Sequence, residues 1–169
     1  MEKRSSVEIR KRFDFRVIIA TICFAIGTFC FLNYHHLASA QEYEIFTKLT
    51  IQNIELSSDV TKTHLLNYKI VTPDYIVGSF SRAENKTLLV GHSTTAFENL
   101  KNVELNDEIE YNDKKYVTKK IEVLEKADID MDKILAPAKE DTLVLMTCAG
   151  ELYDNGDASH RLIITAELV

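Results

Sequence analysis

Residues 142–147 read TLVLMT, and Cys148-Ala149-Gly150 follow directly. The run offers no polar side to solvent, as a strand buried on both faces would not. On its C-terminal side, residues 161–168 (RLIITAEL) form another strand-like run. On its N-terminal side, residues 108–111 and 115–124 flank Asn112-Asp113, residue types that favour a hairpin turn even without glycine. Residues 87–90 are a short apolar run ending at Gly91, and residues 48–56 (KLTIQNIEL) approximate the alternation of a half-buried strand. A helix-like turn around residues 96–101 and an acidic loop at residues 126–138 separate these runs. Six to eight short strands with few helices predict an all-β domain, a barrel or a sandwich. Residues 60–85 have a mixed pattern that yields no assignment, and no internal repeat is present.

The chain of 169 residues is 46% hydrophobic and 27% charged, with 5 Gly and 2 Pro, which excludes collagen-like, low-complexity and fully disordered chains. Three cysteines are too few for a disulfide scaffold. The net charge of −6 excludes a basic surface for nucleic-acid phosphates. That charge is unevenly spread. Residues 1–16 carry six basic and three acidic side chains, a net +3, and residues 17–41 carry no charge with neutral histidines. The rest of the chain holds 14 basic and 23 acidic residues, a net −9.

Residues 17–34 read VIIATICFAIGTFCFLNY. As a helix they would rise ~27 Å, close to the ~30 Å hydrocarbon core of a bilayer. The basic cluster before them predicts a cytoplasmic N-terminus and an external C-terminal part. The same pattern, with Ala38-Ser39-Ala40 following, also describes a secretory signal with a small-residue cleavage site. Either reading places residues from about 41 onward outside the cytoplasm. Cys23 and Cys30 fall on one face of the apolar helix, as lipid-facing hydrophobes or as a dimer contact.

Within the exported part Cys148 is the sole cysteine, placed where a strand is expected to open into a loop. Alone it also reads as a small buried hydrophobe. His92 directly follows the run 87–90, and histidine gives and takes protons near neutral pH. Arg161 is expected to open the last strand, where a guanidinium could donate to a developing oxyanion. A nucleophilic thiol, an acid/base and an oxyanion donor together are the parts that acyl transfer requires.

Residues 87–105 (TLLVGHSTTAFENLKNVEL), 141–150 (DTLVLMTCAG) and 161–168 resemble the signature regions of the sortases, membrane-anchored cysteine transpeptidases of mainly Gram-positive bacteria. The resemblance covers about residues 48–169, and the spacing of Phe97 and Leu100 after His92 agrees with it. One departure is Val144, where the family's Thr-Leu-x-Thr-Cys motif has its first threonine; Thr147 is retained. Ser93 stands where many relatives carry a larger polar residue.

The resemblance implies an eight-stranded β-barrel with short helices, preceded by one transmembrane helix. The organisation is then a cytoplasmic tail at 1–16, an anchor or signal core at 17–34, a linker at 35–47 and a catalytic domain at 48–169. It implies a sorting signal of Leu-Pro-x-Thr-Gly type near the C-terminus of an exported protein. Cys148 would form a thioacyl-enzyme, His92 would shuttle the proton, Arg161 would hold the oxyanion or the peptide, and Thr147 would help position the peptide. The acceptor would be an amine of a cell-wall precursor or a pilin lysine. No cofactor and no nucleic acid are expected. Glu125, Asp128, Asp130 and Asp132 could bind Ca²⁺ but are read as a solvated, adjustable loop beside the peptide groove. Two alternatives stand: another exported cysteine peptidase or acyltransferase, and a non-catalytic β-domain that binds a surface partner with Cys148 buried.

Overall fold

The structure, a computed structural model, describes residues 43–66, 69–154 and 157–169. The tail at 1–16, the apolar segment 17–34 and most of the linker expected at 35–47 lie outside them. Among the described residues no helix is long and apolar enough to cross a membrane.

The described residues form ten strands: β1 (Ile45–Ile51), β2 (Leu56–Lys62), β3 (Leu65–Leu66), β4 (Lys69–Ile70), β5 (Val77–Ala83), β6 (Lys86–Val90), β7 (Glu108–Tyr111), β8 (Lys114–Glu125), β9 (Thr142–Leu152) and β10 (Ala158–Leu168). Eight of them close a barrel in the order β1-β2-β5-β6-β9-β10-β8-β7, and β3 and β4 make a separate small hairpin. Most pairs are antiparallel; β2–β5 and β6–β9 are parallel. The barrel fulfils the all-β expectation and decides between barrel and sandwich.

The turn between β7 and β8 is Asn112-Asp113, both at positive φ (51° and 60°), the left-handed pair that a two-residue hairpin requires. Residues 48–56, by contrast, are not one strand. A single 3₁₀ turn (Gln52–Ile54) and Glu55 at φ 53° divide them into the end of β1 and the start of β2. The turn preserves burial on both sides, at Leu49 and Ile51 before it and Ile54 and Leu56 after it, which is why the sequence pattern reads as continuous.

Two apolar clusters follow from the alternation of β9. Leu143 and Leu145 face the barrel interior with Leu49, Ile109 and Ile164, while Val144 and Met146 face outward. That outer face is covered by the helix α1 (Met131–Leu135), whose Leu135 packs with Leu88, Val90, Val144 and Ile163. A strand covered on both faces explains the unbroken apolar run of residues 142–147. It also accounts for Val144 in place of threonine: the side chain is 3% exposed in this second cluster, where a hydroxyl would need a partner.

Candidate active site

β6 and β9 run side by side in parallel up to Val90 opposite Met146. β6 ends there, so His92 stands two residues beyond the last pair on one strand and Cys148 two residues beyond it on the other. On the far side of β9, Arg161 of β10 is the direct partner of Cys148. Cys148 shares the outward face of Val144 and Met146, and Arg161 shares that of Ile163, so the two side chains are cross-strand neighbours on one surface. His92, Thr147, Cys148 and Arg161 all line one open cavity of about 960 Å³. Cys148 is a partly exposed free thiol, so the buried-hydrophobe reading does not describe it.

The positions along the strands differ from expectation. Cys148 does not end its strand: β9 continues to Leu152, and Arg161 is the fourth residue of β10. The β9–β10 hairpin runs on past the barrel rim, carrying exposed Leu152 that has no core to face. Just beyond Cys148 the register slips, with His160 opposite Ala149 but Ala158 opposite Leu152. Gly150 sits in this bulge at φ +75°, and a Cβ there would lie 2.5 Å from Ser159 Oγ and 2.7 Å from His160 Nδ1. Only glycine fits both the conformation and the space, and bulges of this kind re-aim side chains beside functional sites.

The backbone under His92 is fixed from below. Gly91 lies against the Phe97 ring, at 2.9 Å from where its Cβ would be, and the His92 carbonyl accepts from Phe97 N–H (3.0 Å). Phe97 and Leu100 are core residues, so the segment after His92 folds back into the barrel end. Thr147, expected as a contact to the peptide, is 5% exposed, and its hydroxyl donates to the Gly91 carbonyl at 2.7 Å. That bond ties the Cys148 strand to the His92 segment. Among the described residues, the His92 ring and the Cys148 thiol have no hydrogen-bond partner, which leaves both available to a substrate.

Arg161 is the most constrained member. Its Nη1 donates to the carbonyls of Ala158 (3.0 Å) and His160 (2.9 Å), and its Nη2 donates to Asp157 Oδ1 (2.6 Å). Among the described residues, the Nε–H and one Nη2–H are left without a partner and remain for a ligand. The Asp157 carboxylate also accepts from Lys126 Nζ and from the Ala158 N–H, and these partners hold its carboxyl well below the ordinary range, Lys126 foremost.

The cavity is also lined by the segment expected as an acidic loop, which leaves the end of β8 beside β10. It is ordered as a 3₁₀ turn (Lys126–Asp128) followed by α1. Asp130 caps α1 by accepting from the Asp132 and Lys133 N–H groups, and Asp132 pairs with Arg82 at 2.9 Å. Ile129 and Met131 present apolar surface along the same wall. The segment thus borders the groove as an ordered element, packed through Ile129, Met131, Ile134 and Leu135, while Glu125, Asp128, Asp130 and Asp132 are exposed to solvent as expected. Among the described residues no cluster of three or more His, Cys, Asp or Glu is placed to hold a metal ion. Sequence reasoning passed over Asp157, Lys126 and Gly150. A one-residue slip between strands leaves no periodic trace, and a pair four apart signals contact in a helix, not beside a strand.

A small barrel that sets a thiol, an imidazole and a guanidinium on one groove has the architecture of a cysteine transpeptidase. The chain belongs to the sortase family, whose Sortase domain model matches residues 46–169. Solved structures agree on the fold. Sortase A from Corynebacterium diphtheriae (lid mutant) is 24% identical, with a TM-score of 0.58 over 77% of this chain and 73% of that one. Sortase C-1 from Actinomyces oris is 24% identical, with a TM-score of 0.56 over 74% and 72%. The Sortase D5 transpeptidase from Clostridium perfringens is 19% identical, with a TM-score of 0.57 over 81% and 88%. No curated protein sequence matches the chain.

Proposed function

We propose that the protein is an exported, membrane-anchored transpeptidase acting on Leu-Pro-x-Thr-Gly-like sorting signals. The observation that carries the reading is the convergence of Cys148, His92 and Arg161 on one groove, with Cys148 and Arg161 paired across β9 and β10. The Cys148 sulfur attacks the threonine carbonyl carbon. Negative charge gathers on the carbonyl oxygen, where the free N–H groups of Arg161 offer donors. His92 in its protonated form gives a proton to the departing glycine nitrogen, the C–N bond breaks and a thioester remains on Cys148. An amine of a cell-wall precursor or a pilin lysine then attacks the thioester, His92 takes its proton and the thiolate leaves. The apolar wall of Ile129, Met131 and Leu135 faces the leucine–proline end of such a peptide in this reading.

The test is cleavage of a Leu-Pro-x-Thr-Gly peptide with and without an added amine. The expected outcome is an amide product that needs the amine and a Cys148→Ala variant that folds but does not cleave. Hydrolysis alone would favour a plain cysteine peptidase, and cleavage by the folded variant would end the assignment. For location, the charge step across residues 17–34 supports a cytoplasmic N-terminus and an external domain. Protease added to intact cells should digest residues 43–169 and spare the N-terminal tail. A mature chain starting at Gln41 would replace the anchor with a cleaved signal.

A further inference from the structure

Asp157 ties the start of β10 to the turn that follows β8, the strand beside it. Its carboxylate meets Arg161 Nη2 at 2.6 Å on the hairpin side and Lys126 Nζ on the side of the 3₁₀ turn, while the Ala158 N–H (2.9 Å) fixes it from its own backbone. Four residues of extended chain span ~13 Å, so Asp157 and Arg161 meet because the guanidinium curls back along β10 next to the bulge at Gly150. The same curl directs Nη1 onto the Ala158 and His160 carbonyls. Arg161 is 16% exposed along its side chain, and nothing else among the described residues supplies it with a carboxylate.

We propose that Asp157 is a positioning residue for the acyl-transfer reaction, orienting Arg161 toward the carbonyl that Cys148 attacks while Lys126, just past the end of the neighbouring strand β8, anchors Asp157. The inference rests on the transpeptidase reading and adds to it a residue outside the Cys-His-Arg set. An unheld guanidinium samples many rotamers, and misplacing one catalytic group slightly costs a large factor in rate. The bidentate-capable fork of arginine is useful only in a fixed orientation. If Asp157 acts by holding Arg161, removing it should matter only while Arg161 is present, whereas a direct role in the cavity that both line would persist without Arg161.

The experiment is a double-mutant cycle on the full-length chain in detergent, assayed by cleavage of a Leu-Pro-x-Thr-Gly peptide. Asp157→Ala should lower kcat about 10–100-fold with KM little changed. Asp157→Asn keeps an acceptor for Nη2 but no charge for Lys126, and should fall between it and the parent. In an Arg161→Ala background, Asp157→Ala should change kcat by less than about 2-fold. These ion pairs are partly exposed and contribute little to stability, so the variants should fold. A second arm needs no turnover: nitrogen-15 NMR of the Arg161 guanidinium, assigned by its loss in Arg161→Lys, should show faster rotation of the group in Asp157→Ala. Unchanged rotation, or an equal loss of kcat in both Arg161 backgrounds, would overturn the proposal. A parent chain that cleaves no such peptide would end the transpeptidase reading instead, and the NMR arm alone would then decide whether Asp157 holds Arg161.

Discussion

Thr147 shows how one hydroxyl can serve a site without pointing into it. Its bond to the Gly91 carbonyl joins two parallel strands at the level where β6 stops, so the spacing of His92 and Cys148 depends on it. Thr147→Val preserves the shape and leaves the buried Gly91 carbonyl without that donor. The expected cost is ~1–3 kcal/mol in stability, read from the urea midpoint, with a lower rate of peptide cleavage as the His92 segment loosens. An unchanged midpoint would show the bond to be dispensable. At this scale the sequence was informative where chemistry is rare: a single exported cysteine, and a histidine and an arginine beside strand-like runs. It was silent on Thr147's direction, because its inward placement depends on a parity that the cover of both faces of β9 conceals.

Elements were legible in proportion to how far they obey a period. The β7–β8 hairpin was evident because Asn112 and Asp113 tolerate left-handed backbone, whereas Glu55 in the same conformation carries no such signal. The outer stretches of β9 and β10 were missed because their residues, apart from the buried Ala158, are partly or fully exposed and show no alternation. Helix α1 was missed because five residues are too few to display a helical period. It is held by Leu135 and by the Asp130 cap, not by its own length. Leu135→Ala should therefore loosen this wall at a cost of ~2–5 kcal/mol or less, the low end where a surface element can collapse. Hydrogen exchange should show α1 losing protection while β9 and β10 keep theirs, together with a raised KM for the peptide. Equal loss across β9 would mean that α1 and the barrel unfold as one. Since Asp130 and Asp132 already serve the cap and Arg82, peptide cleavage should persist in EGTA; loss restored by Ca²⁺ would refute this.

For the whole molecule, two phenols at the end of the barrel away from Cys148 are expected to set the response to alkali. Tyr116 is buried, and its phenol is pushed well above the ordinary tyrosine range, first by burial and then by the Asp141 charge and hydrogen bond. Tyr111, bonded to Ser79 at 3.0 Å, is also raised by burial. A group whose folded pKa exceeds its unfolded value contributes stability that is complete below the unfolded pKa and is lost as pH rises. The melting temperature should thus hold up to about pH 9 and fall beyond about pH 10, where the unfolded phenols ionise. Tyr116→Phe should reduce the slope of that fall; an identical slope would locate the alkaline sensitivity elsewhere. An all-β domain was foreseeable from strand count and the barrel only from the family resemblance, yet the strand order was legible in neither, because the parallel neighbours β2–β5 and β6–β9 join segments that no local pattern links.

The cylinder is stitched unevenly. β7 meets β1 through Leu49 with Tyr111 and Thr50 with Glu110, while β10 is laced to β9 from Ala158–Leu152 down to Glu167–Thr142. In the circuit of strands, β6, β9 and β10 lie across from that short seam. The parallel joint of β2 and β5 is nearly as short, with Val60–Val77, Thr61–Gly78 and Lys62–Ser79. As a cask would part along its poorest joints, opening at either would leave the staves that carry Cys148 and Arg161 fastened to each other.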